Sequence, residues 1–153
     1  MADLFTHLAA ARVPAAFQRD RRLSALLVIG TFLPDVAAKG LYWVLRTDSD
    51  FTLPTHSILG LVVLSYAAAL WIEERLRGRA FVAILAGGLI HVGVDLLKEN
   101  LGMGSAYLFY PFSTRSYELG LIDPLDVVWL LPIDVLILVL AWIIERRRAR
   151  VQQ

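Results

Sequence analysis

The sequence predicts an all-α integral membrane helical bundle with four spanning helices, preceded by a short N-terminal membrane or re-entrant helix. Three observations carry this. The chain has 153 residues, 58% apolar and 19% charged, with a mean hydropathy of +0.61, whereas soluble domains run nearer about 45–50% apolar. Its apolar residues fall into four long runs, at 23–45, 53–72, 80–97 and 125–144, each near the roughly 20 residues that cross about 30 Å of hydrocarbon. The runs are continuous rather than alternating, and only helices or closed barrels satisfy their backbone groups in lipid.

Residues 3–17 form a shorter apolar stretch interrupted by Arg12 and Pro14, which is read as a re-entrant helix, an interfacial helix or a thin fifth span. Residues 23–45 follow Arg19, Arg21 and Arg22 and look like a signal anchor. The apolar run continues through 41–45, where a cleavage site would end it, so retention is expected. Residues 98–124, with Gly102, Gly104, Pro111 and Pro124 among the aromatics Tyr107, Phe109, Tyr110, Phe112 and Tyr117, read as a long irregular interfacial loop, the kind that often forms lids and binding walls. Residues 1–153 are taken as a single membrane-embedded domain without internal repeats or low-complexity segments.

Charge placement sets the orientation. Arg12, Arg19, Arg21 and Arg22, then Arg75, Arg77 and Arg79, then Arg146, Arg147, Arg148 and Arg150 lie at alternate ends of the runs. The positive-inside rule puts these ends and the C-terminus in the cytoplasm, in a multi-pass inner-membrane topology. The net charge of +1 gives no ground for nucleic-acid binding, no Gly-rich phosphate loop is present, and the absence of cysteine removes thiolate chemistry.

Ionisable groups inside spans cost roughly 2.5–3.5 kcal/mol each on insertion scales and call for a partner or a purpose. Asp35, His56, His91 and Asp95 all fall in the outer half of their spans, and Asp134 lies near the centre of the last one. His91 and Asp95 are four residues apart, so both reach one ion from a single helix face; the plainer reading is a hydrogen-bonded pair at a helix interface. Imidazole with carboxylate suits zinc, manganese or iron, and an open coordination position supplies hydroxide near neutral pH. His56 sits in Leu53-Pro54-Thr55-His56-Ser57, with Thr55 as the expected helix N-cap and open N–H groups favouring an anion. The same segment also reads as a simple interfacial cap. Asp35 is placed to pair with Lys39 one turn on, alongside a ligand role.

Thr6-His7, Leu33-Pro34-Asp35, Thr55-His56-Ser57 and His91-Val92-Gly93-Val94-Asp95, followed by Tyr110-Pro111-Phe112-Ser113, occur in an order that resembles the prokaryotic membrane-bound metal-dependent hydrolases, with a more distant likeness to helical zinc-dependent phospholipases C. The resemblance covers residues 3–115. It implies metal ligands at His7, Asp35, His56, His91 and Asp95, and a hydrolytic reaction. His7 joins the other ligands only if residues 3–17 run inward from the outer face. Ala37 stands where many members carry a second Asp, and residues 51–54 replace a His-Arg pair; both departures count against a two-metal site.

The expected activity is hydrolysis of a lipid-borne ester, a phosphoester above all, by a metal-activated water with Asp35, Asp95 and His56 as catalytic residues. Lys39, Lys98 and Arg115, with Thr55 and Ser57, are candidate head-group contacts, although the three cations equally suit interfacial snorkelling. Asp134 is expected to orient a ligand histidine, the alternative being a buried hydrogen-bonded carboxylic acid. The rival reading is a carrier or channel subunit that passes protons or metal through the same cluster, and a third is a scaffold that keeps the metal for stability alone.

Overall fold

In a computed structural model describing residues 4–46, 52–99, 106–123 and 127–151, the N-terminal stretch is one continuous helix, α1 (Leu4–Phe17), with Pro14 inside it. Its buried face is almost all alanine: Ala9, Ala11, Ala15 and Ala16 are each at most 2% exposed. Small side chains bring α1 close to its neighbours, which is how membrane helices gain packing energy where lipid is as apolar as leucine.

The first long helix, α2 (Arg21–Leu45), begins where the Asp20 carboxylate accepts from the Arg22 backbone N–H at 3.0 Å and ends where Arg46 turns left-handed and donates its N–H to the Tyr42 carbonyl. It matches the predicted run. The second predicted run does not form one helix. It divides into a single turn, α3 (Thr52–Thr55), and a 12-residue helix, α4 (Ile58–Ala69). Ser57 is the reason: its hydroxyl donates to the Pro54 carbonyl at 2.9 Å and accepts from the Gly60 N–H at 3.0 Å. The N-cap of α4 is therefore Ser57, not Thr55. Ser57→Ala is expected to cost about 1 kcal/mol, typical of a lost N-cap, read as a lower melting temperature in detergent.

The third and fourth runs are extended rather than trimmed. The next helix, α5 (Glu74–Leu97), starts before its apolar stretch, and the last, α6 (Val127–Val151), carries on through the terminal arginines. Among the described residues, three helices are long and apolar enough to cross a membrane: α2, α5 and Val128–Arg148 within α6, while α4 is shorter. The described residues contain no strands, only two isolated bridges, Lys98 with Ile122 and Ala106 with Tyr117. The first ties the loop back to the end of α5, and the second closes the loop on itself. Ile58 donates to the Leu108 carbonyl at 3.0 Å and Leu119 to the Leu96 carbonyl at 2.7 Å, and Ala106 joins Leu61 and Val92 in a buried cluster.

The bundle is centred on α2 and α5, its most extensive helix pair, which run in the same direction from the contact of Asp20 with Arg79 (3.7 Å) toward that of Asp35 with His91 (3.8 Å). Their crossing is made of glycine. A Cβ on Gly30 would overlap the Ile84 carbonyl, and one on Gly87 would overlap the Leu27 carbonyl and stand 2.8 Å from the Thr31 nitrogen. The opposite direction is taken by α1 and α6, held by Thr6 with Asp134, Arg12 with Glu145 at 2.7 Å, and Arg148 donating to the Phe17 carbonyl at 2.8 Å. The starts of α2 and α5 and the ends of α1 and α6 thus gather at one end of the bundle. His7, Asp35, His56, His91 and Asp95 lie toward the other.

Candidate metal centre

Four helical segments supply the cluster, one ligand-type residue each from α1, α2 and the α3–α4 junction and two from α5. Asp95 is the hub. One carboxylate oxygen lies 3.2 Å from His7 Nε2, and the other lies 3.1 Å from His91 Nε2 and 3.9 Å from His56 Nε2. Asp35 closes the opposite side, 3.4 Å from His56 Nε2 and 3.8 Å from His91 Nε2. The same nitrogen of all three imidazoles therefore faces carboxylate oxygen. The rings crowd together, with the His7 and His91 centroids 4.2 Å apart and those of His56 and His91 5.1 Å apart.

Two overlapping triads result, His7 with His91 and Asp95, and Asp35 with His56 and His91; within each, the ligand atoms lie within 4.8 Å of one another. His91 belongs to both. His56 Nε2 and His91 Nε2 stand 3.1 Å apart, and two imidazole lone pairs at that distance repel unless a proton or a cation lies between them. A donor set of three imidazole nitrogens and two carboxylates fits a borderline divalent cation such as zinc, manganese or iron. The histidine side chains are at most 7% exposed, those of Asp95 and Asp35 17% and 32%. The cluster is thus approached from its carboxylate side.

Surrounding contacts fix these groups in place. Thr55 Oγ1 lies 3.0 Å from His56 Nδ1, the nitrogen turned away from the cluster, an arrangement that sets ring orientation and tautomer. Lys39, exposed, stands 3.5 Å from the second Asp35 oxygen, so Asp35 pairs with Lys39 while its other oxygen faces the histidines. Thr6 donates to Asp134 Oδ2 at 2.8 Å, and Asp134 is only 4% exposed. Asp134 on α6 therefore grips the residue next to His7 rather than standing alone in its helix.

The chain belongs to the YdjM inner membrane protein family, whose model matches residues 2–152. That description gives a membrane location and no reaction. No curated protein and no solved structure is significantly similar to the chain.

Several sequence expectations for this YdjM-family chain are met in space. His7, Asp35, His56, His91 and Asp95 converge although His7 and Asp95 are 88 residues apart by number, and α1 runs opposite to α2, which brings His7 to the same end as the others. Others are redirected. Ser57 is 1% exposed and its hydroxyl is committed to the Pro54 carbonyl in α3 and the Gly60 N–H in α4, which turns it away from a head-group role. Thr55, 3% exposed, turns to His56. Lys98 is 6% exposed at the C-cap of α5 and so is not a surface anchor. Arg115 lies in the exposed loop with its guanidinium 5.6 Å from the Tyr117 ring centre. The pairs Thr6–Asp134 and Arg12–Glu145 were missed by sequence reasoning; the signal available was an ionisable group in each apolar helix that needed a partner.

Proposed function

We propose that this chain is a membrane-embedded, metal-dependent hydrolase acting on a lipid-borne phosphoester, with one divalent ion, zinc foremost, held by His7, His56, His91 and Asp95. The observation that carries the reading is the convergence of three buried imidazole Nε2 atoms and two carboxylates from separate helices. Four crossings are included in the proposal, the short α4 completing the second together with α3. The arginine-rich end and the C-terminus are assigned to the cytoplasm by the positive-inside rule, which leaves the cluster toward the outer leaflet.

A divalent ion at such a centre supplies Lewis acidity and a water acidic enough to ionise near neutral pH. The chain's own groups do the rest. Asp95, the more buried carboxylate, presents one oxygen beside His7 Nε2 and the other beside His91 Nε2, where it would complete the donor set with them. Asp35, more exposed and open toward Lys39, is assigned the base that takes the proton from the attacking water. Lys39 holds a phosphoryl oxygen at the mouth, and the Thr55 contact keeps His56 Nε2 turned inward. The expected substrate is a phospholipid or a polyprenyl phosphate presented sideways from the membrane.

The test joins metal analysis to turnover. Protein purified in mild detergent should retain about one equivalent of metal. In vesicles carrying phospholipid or polyprenyl phosphate, it should release head group or phosphate in a reaction stopped by chelator and restored by zinc or manganese. His56→Ala should lower that rate by at least about 100-fold, as loss of an essential catalytic contact does. Gradient-driven proton or metal flux without ester cleavage would replace the hydrolase by a carrier.

A further inference from the structure

At the opposite end of the bundle from the His/Asp cluster lies a cleft of about 790 Å³ between α1, α2 and α6. Its wall holds six guanidinium groups, Arg12, Arg19, Arg21, Arg146, Arg147 and Arg148, against one carboxylate, Glu145. Topology alone needs positive charge near the helix ends and does not need it turned inward around a cavity. Some of these arginines are already engaged: Arg12 pairs with Glu145 at 2.7 Å, Arg146 stacks 4.0 Å from the Trp142 ring centre, and Arg148 donates to the Phe17 carbonyl. Arg19, Arg21 and Arg147 form no ion pair among the described residues. Three cations thus stand around a common space with nothing to neutralise them.

The remaining wall is mixed, with Gln18 and Ser24 beside apolar side chains. Ala25 on α2 and Trp142 on α6 line the cleft. Beyond them, the same two helices continue as exposed apolar surface, with Ile29 at 56%, Val139 at 46% and Leu140 at 49% exposure. A polar, cationic mouth running into lipid-facing aliphatic side chains matches a molecule with an anionic head and hydrocarbon tails. We infer that this cleft is a binding site for an anionic phospholipid of the leaflet on the arginine-rich side. Arg19, Arg21 and Arg147 hold its phosphate, and its acyl chains lie along α2 and α6. Guanidinium suits this role because its fork of donors engages two phosphate oxygens at once, and basic pockets between membrane helices bind anionic head groups. Because the lipid bridges α1, α2 and α6, it also fastens the outer helices to the centre of the bundle.

The test uses the full chain in detergent, with retained lipid counted by native mass spectrometry after equilibration with phosphatidylglycerol or phosphatidylcholine. Wild type should keep one phosphatidylglycerol and no phosphatidylcholine, and 10 mM inorganic phosphate, on the order of a free-anion challenge, should not displace it because the acyl chains contribute to binding. The double variant Arg19→Gln/Arg147→Gln should bind phosphatidylglycerol about 30-fold more weakly. Arg22→Gln/Arg150→Gln, exposed arginines at the same end but outside the cleft, should change it less than about twofold. Equal losses in the two pairs would reduce the effect to general interfacial charge and overturn the proposal. So would displacement by inorganic phosphate, or equal retention of the two lipids by the wild type, a result independent of how either variant folds.

Discussion

Replacing His91 with alanine is expected to lower metal affinity by at least about 100-fold, since even the partners that merely orient a metal ligand are worth roughly 10–100-fold. His91 is singled out by its position in both ligand triads. His7→Ala removes a member of only one triad and should cost less, and Asp95→Asn, which keeps the shape but halves the hub's acceptor capacity, should fall between them. Elemental analysis of the purified variants, with melting curves in parallel, gives the order. Equal losses for His7→Ala and His91→Ala would remove the shared-ligand geometry. Full metal retention by His91→Ala would leave a proton-bridged network of histidine and aspartate and take the hydrolase with it.

Gly87→Val is the second large effect, expected to cost roughly 3 kcal/mol, the upper part of the range for forcing atoms into a packed interface. Backbone blocks the new side chain: Leu27 carbonyl oxygen, Thr31 nitrogen and the Gly30 carbonyl carbon all stand within van der Waals overlap of its Cβ. Backbone in a helix cannot swing aside as a side chain does, so α2 and α5 must separate. That separation draws Asp35, the assigned base, away from His91, which now lie 3.8 Å apart, so turnover should fall together with thermal stability. Gly93→Ala on the same helix is the control. Nothing lies within 4 Å of an added Cβ there, and replacing a mid-helix glycine should stabilise by about 0.5–1 kcal/mol. A melting temperature for Gly87→Val equal to that of Gly93→Ala would show that the crossing tolerates a wider spacing.

The class of the protein was legible in its apolar runs, because the demand for satisfied backbone groups in lipid leaves few architectures. Helix ends were less so. Apolarity marks where lipid begins, while helices stop where hydrogen bonding stops, so α5 opens six residues before its apolar stretch and α6 passes through its arginines. The second run misled because capping by Ser57 resets the helix inside an unbroken apolar sequence. In the site, His91 and Asp95 were readable from helical spacing, whereas His56 and Asp35 needed depth within the spans, and His7 needed the direction of α1. The Thr6–Asp134 contact spans 128 residues, and no local pattern encodes it. Gly30 and Gly87 were visible in the sequence as small residues within apolar runs, the usual mark of close membrane-helix contact, but their pairing rests on the register of two separate helices.

The grip of Asp134 on Thr6 has a consequence for biogenesis. The ribosome makes the segment bearing His7 well before the helix that secures it, 128 positions further along, so α1 must wait at the translocon, or in nearby lipid, for its clamp. Without α6 the first histidine would still meet Asp95 on α5 but would lose the anchored threonine beside it, so the cluster would assemble around a looser first helix.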